Sequence, residues 1–253
     1  MPNELLHLRI GSWILHPDAM LLPVAGLFFL VIAYRALCPA LMNSGRDALV
    51  LVTIISFAGV VGARLYGLIL PVYTGDPVIA DGSWYRLRFG SMGGVWGILL
   101  ATLLAASLRG RRMLFPMLDA LVPAICLSAA VARISCVYQG CCAGVDYGPL
   151  AAITDPVRAW PILDILALLG TAKLASYVRQ QSVAPGNALI CFLFCYGSLR
   201  FCLEFLRDTY TAVGLVTWGQ FMSLALVMAG MYALTTVQSS GLAGQSQQNE
   251  EMI

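Results

Sequence analysis

Residues 114–137, LFPMLDALVPAICLSAAVARISCV, form an apolar run broken by only two charges, Asp119 and Arg133. A run of that length matches the roughly 20 residues a helix needs to cross about 30 Å of hydrocarbon. The surrounding chain agrees with a membrane reading. It has 253 residues, 59% of them hydrophobic and 11% charged, with mean hydropathy +0.81. A water-facing domain carries about a quarter charged residues. Outward from 114–137, similar runs predict seven spans at 18–38, 48–73, 92–108, 114–137, 160–178, 186–206 and 214–235. The expected fold is an all-α, integral membrane seven-transmembrane-helix bundle. Short connections and the lack of an internal repeat predict a single membrane domain over 1–237. The small, polar stretch 238–253 has the composition of a disordered tail.

The first residues, MPNELLHLRIGSWILHPD, carry Glu4 early and lack a basic leader, unlike a cleaved signal peptide. They read as an amphipathic surface segment. The RGRR cluster at 109–112 is the clearest orientation cue, and the excess of basic residues on cytoplasmic loops places it inside. That predicts an outer N-terminus, a cytoplasmic tail, and a GCC loop (140–142) on the outer face. The net charge of +2, without a basic run, excludes nucleic acid as a partner.

Charges at bilayer depth are costly and usually face the bundle interior. Here they are Arg64, Asp119, Arg133, Asp164, Arg200 and Glu204. Asp119 and Asp164 fall toward the ends of their spans, where a cap or a snorkelling acid is the plain reading. In LRFCLEFLRD, spacings of four and three residues put Arg200, Glu204 and Arg207 on one helix face. Two arginines against one carboxylate, joined by Arg64 and Arg133, predict a cavity with surplus positive charge. Arginine grips phosphate through two N–H groups at once, so an anionic phospholipid is the expected partner.

Of the eight cysteines, Cys136, Cys141 and Cys142 stand where chemistry can reach them. Three readings stay open: packing at a helix end, a disulfide from Cys136 to Cys141 or Cys142 on an oxidising face, or a reactive thiol whose ionisation Arg133 favours. A zinc site is disfavoured, since three thiols without a nearby histidine leave the shell one ligand short. No metal is expected.

Five blocks then occur in a telling order: VGARLYG (61–67), GSMGGVWGILLA (90–101), ARISCVYQGCCAG (132–144), APGNALICFLFCYGSLRFCLEFLRD (184–208) and GLVTWGQFMSLALVMAGM (214–231). Together they resemble bacterial prolipoprotein diacylglyceryl transferase. The resemblance implies a seven-helix inner-membrane enzyme, multi-pass, with its active site near the outer face and no cofactor. It implies transfer of the diacylglyceryl group of phosphatidylglycerol to the lipobox cysteine of a prolipoprotein. Arg133 and Arg200 match the family's arginines, with Glu204 orienting Arg200. Arg64 and Arg207 would complete a phosphate wall, and Gly93, Gly94, Gly140 and Gly144 would let backbone approach the head group. Four positions depart from the pattern. Met92 stands where the family carries a histidine, cysteines replace an amide and a carboxylate after Arg133, and Trp160 replaces a tyrosine. Two alternatives follow: a divergent paralogue with another acceptor, reached through its own Cys136, Cys141 or Cys142, or a non-catalytic phospholipid-binding protein.

Overall fold

The computed structural model describes the backbone of residues 8–10, 13–15, 17–41, 44–74, 90–139, 156–182, 184–206, 212–213 and 216–251. Seven long helices make up nearly all of it: α1 (Pro17–Leu41), α2 (Gly45–Thr74), α3 (Ser91–Arg109), α4 (Leu114–Gln139), α5 (Pro156–Gln181), α6 (Asn187–Glu204) and α7 (Trp218–Glu251). Two antiparallel ribbons add a few residues each, β1 (Leu8–Ile10) with β2 (Trp13–Leu15), and β3 (Ala212–Val213) with β4 (Val216–Thr217). The opening segment, read from sequence as amphipathic, thus contains a short hairpin. Six stretches, in α2 to α7, are long and apolar enough to cross a membrane. The first helix contributes a shorter apolar run, Pro23–Cys38. The chain is a multi-pass helical membrane protein.

The apolar pattern decides which helix is central. α4 packs against α1, α3, α5 and α6, and its residues 117–122 are all buried. A helix apolar all round belongs inside a bundle. α3 instead exposes Leu100, Leu103, Leu104 and Leu108, a surface suited to lipid. α7 continues helically to Glu251, so helix extends into the polar stretch whose composition suggests a disordered tail.

Two details fix the packing. α2 and α3 cross at glycines: a Cβ on Gly62 would strike the Gly93 carbonyl, and one on Gly97 the Ala58 carbonyl. Small residues at such a crossing let two backbones approach within the membrane. At the other end of the bundle, Asp119 caps a neighbouring helix. Its carboxylate accepts from the Gly186 N–H at 2.6 Å and the Leu189 N–H at 2.8 Å. These belong to the four orphan donors at the start of α6. Gly186 itself has φ +105, a left-handed conformation that favours glycine. The plain reading of Asp119 as a cap therefore holds, across helices rather than within one. Asp119→Ala is expected to cost about 1–3 kcal/mol for each donor left unpaired, measured as a lower Tm in detergent.

Candidate active site

The site grows from three helices. On α6, Arg200 and Glu204 are four residues apart and form a buried ion pair between Nη1 and Oε2. On α5, Trp160 and Asp164 have the same spacing and so share a face. On α4, Arg133 reaches across to Asp164, with Nε 2.6 Å from Oδ2. The side chains of Arg133, Asp164, Arg200 and Glu204 are only 10%, 0%, 3% and 1% exposed.

Trp160 joins the two pairs. The guanidinium carbon of Arg200 lies 4.7 Å from its ring centroid and that of Arg133 lies 5.1 Å away. An indole face attracts cations at this range, more so when they are desolvated. Its Nε1–H donates at 2.7 Å to the Leu203 carbonyl in the last turn of α6, which also accepts from the Leu206 N–H at 3.1 Å. The indole is therefore fixed in its plane while it holds two arginines. Tyr196, buried and stacked on Phe192 with centroids 5.6 Å apart, lies within electrostatic reach of Asp164, Arg133 and Arg200.

The far side of Glu204 is closed by α7. Thr217 and Gln220 bond reciprocally, Gln220 N–H to Thr217 Oγ1 at 3.1 Å and Thr217 N–H to Gln220 Oε1 at 3.0 Å. That is the capping box that starts a helix. A Cβ on the next residue but one, Gly219, would lie 2.5 Å from the Glu204 carboxylate. The first turn of α7 thus presses on Glu204, and the positive end of a helix favours an anion there. Ser223 completes the turn by donating to the Gly219 carbonyl at 2.7 Å. The sequence pattern Gly-Gln-x-x-Ser has a physical role at each of its named positions. Gly219→Ala is expected to displace Glu204 and cost about 1–3 kcal/mol through overpacking. Thermal unfolding should register the cost, and a fall in transfer activity the displacement.

Of the residues singled out from sequence, Arg133, Cys136, Arg200 and Glu204 come together. Cys136 Sγ lies 3.9 Å from Arg133 Nη1. Arg64 is partly buried on α2, while Gly93 and Gly94 face Gly62 and Gly59 at the α2–α3 crossing. Gly140, Cys141, Cys142, Gly144 and Arg207 lie outside the described residues. One expectation needs correction. Asp164 is no snorkelling acid but the buried partner of Arg133. The cluster Arg133, Asp164, Arg200 and Glu204 consequently pairs two cations with two anions, so the surplus positive charge expected of the cavity rests with Arg64 and Arg207. The sequence marks Trp160 only as a substitution. Its spacing from Asp164 was a signal for a shared face, but nothing in sequence aims that face at two arginines.

A family model described as prolipoprotein diacylglyceryl transferase matches residues 8–236. Phosphatidylglycerol–prolipoprotein diacylglyceryl transferase 2 of Clostridium perfringens is similar at 24% identity over 195 residues, covering 72% of this chain and 74% of that protein. A phosphatidylglycerol–prolipoprotein diacylglyceryl transferase of Aeromonas salmonicida is 29% identical over 189 residues, with 69% and 68% covered. One of Methylobacillus flagellatus is 29% identical over 158 residues, with 56% and 58% covered.

Proposed function

The chain belongs to the prolipoprotein diacylglyceryl transferase family, and from that premise we propose that it transfers the diacylglyceryl group of phosphatidylglycerol to the lipobox cysteine of a prolipoprotein. The observation that carries the reading is the pair of arginines held on the two sides of one cluster by Trp160. In the reaction a thiolate attacks the glycerol carbon, the carbon–oxygen bond breaks, and negative charge collects on the departing glycerol phosphate. Donors placed beforehand where that charge develops supply the largest catalytic contribution in many enzymes. Arg133 and Arg200 have that role here, and Glu204 orients Arg200. By the family resemblance Arg64 and Arg207 extend the phosphate wall and Gly140 and Gly144 give the head group close access to backbone, whereas Gly93 and Gly94 serve the α2–α3 crossing. Met92 packs in the apolar core and cannot take a proton, so thiol activation falls to the arginine field and a carboxylate.

In this reading α1 is the seventh span and the protein sits in the bacterial inner membrane. The N-terminus and the site face outward, and the RGRR cluster faces the cytoplasm. One observation favours a second acceptor. Cys136 lies beside Arg133, an environment that favours a thiolate, so a divergent member could load its own cysteine. Mass spectrometry of the purified protein with phosphatidylglycerol and a lipobox peptide separates these outcomes. A diacylglyceryl mass on the peptide thiol is the expected result. A mass on Cys136 selects the second reading, and lipid binding with neither adduct selects a non-catalytic phospholipid-binding protein.

A further inference from the structure

Three buried carboxylates occur among the described residues, Asp119, Asp164 and Glu204, and they are held very differently. Asp119 accepts from two backbone N–H groups. Glu204 has Arg200 on one side and the first turn of α7 on the other. Asp164 has the ion pair with Arg133, while its Oδ1 has no hydrogen-bond partner among the described residues. It is fully buried and relies on one guanidinium. The helices packed against α5 are α4 and α6. The titratable and charged groups they bring near Asp164 are Arg133 from α4, and Tyr196 from α6 with Arg200 and Cys126 around it.

We infer that Asp164 is an exchangeable counter-ion: the lipid phosphate displaces it from Arg133, and the displaced carboxylate takes up one proton. Two requirements lead there. A phosphate diester and Asp164 compete for the same guanidinium, because each offers two anionic oxygens to its fork of N–H donors. A buried carboxylate that loses its cation is far more costly ionised than neutral. Proton uptake removes that cost, so one anion enters, one proton follows, and the cluster stays neutral. Before lipid arrives, Asp164 keeps Arg133 in place and compensated. It is thus a positioning residue for the phosphate site. Glu204 is not the exchanged group in this scheme, because the first turn of α7 lies against its carboxylate and a helix N-terminus favours an anion. The inference rests on the phosphate-binding reading proposed above.

The test uses the whole protein in phosphatidylcholine nanodiscs, titrated with short-chain phosphatidylglycerol in calorimetry buffers of different ionisation enthalpy. Wild type should take up about one proton, and by linkage its Kd should weaken by up to about tenfold per unit rise in pH. Asp164→Asn should bind lipid with no uptake and a flat pH dependence, whereas Glu204→Gln should keep the slope. Wild-type binding without proton uptake overturns the exchange while leaving the phosphate site standing. A slope lost in Glu204→Gln but kept in Asp164→Asn overturns the assignment to Asp164. Failure of wild type to bind this lipid overturns the phosphate site, and the exchange with it. Glycerol 1-phosphate, run in parallel, separates the sources of phosphate: uptake with that soluble anion alone overturns exchange by the lipid.

Discussion

Replacing Arg200 with alanine is expected to lower kcat/KM for diacylglyceryl transfer by about 10²–10³, the loss typical of one donor to a developing anion. Arg111→Ala, in the 3-10 turn Arg111–Met113 between α3 and α4, should change it little. The contrast follows from position. Arg200 is buried, paired with Glu204, and stacked on Trp160, so its guanidinium is oriented before any substrate arrives. Such orientation matters more than charge. Arg200→Lys should therefore rescue poorly, because a lysine ammonium cannot offer a planar fork to phosphate or lie flat on an indole. Removing Arg200 also takes one cation away from the buried Glu204 beside α7, so rates are best compared per folded protein. Equal tolerance of Arg200→Ala and Arg111→Ala would sink the arginine site.

The parts of this site that sequence discloses are those lying within one helix. Arg200 and Glu204 are four residues apart on a strongly apolar segment, and helical periodicity alone brings them together. The ion pair between Arg133 and Asp164 spans two helices and 31 residues of chain, and hydropathy carries no record of it. Without that partner, the sequence presents Asp164 as an acid near a membrane surface. The same limit explains Gly93 and Gly94. A glycine pair indicates that something comes close, but only the packing of α3 on α2 shows the Gly62 and Gly59 backbone there. Spans were legible for the opposite reason: each is a local property of its own residues. Where they fell short, as at 160–178 against the longer α5 (Pro156–Gln181), polar residues continue a helix beyond its apolar stretch.

The second large effect concerns stability and separates what Arg133 and Asp164 do for the fold from what they do for the reaction. Arg133→Met alone removes the cation paired with a fully buried aspartate, and Asp164→Leu alone removes the buried anion paired with Arg133. Each is expected to cost about 3–5 kcal/mol, the usual penalty for breaking a buried pair from one side. The double variant should recover most of that loss, since apolar residues of similar volume replace a buried ion pair at little or no net cost. Thermal unfolding in one detergent gives the four corners of the cycle, and the coupling follows from them. Transfer activity should not recover, because the phosphate loses Arg133 however well the bundle packs. A stable, inactive double variant would mean that this pair is retained for the anion it can receive. If the double variant is as unstable as the singles, the contacts of Arg133 with Trp160 and Cys136 make the whole cluster a structural unit. Loss of activity on replacing Arg133 would then report collapse of the α4–α5–α6 junction rather than loss of a phosphate ligand.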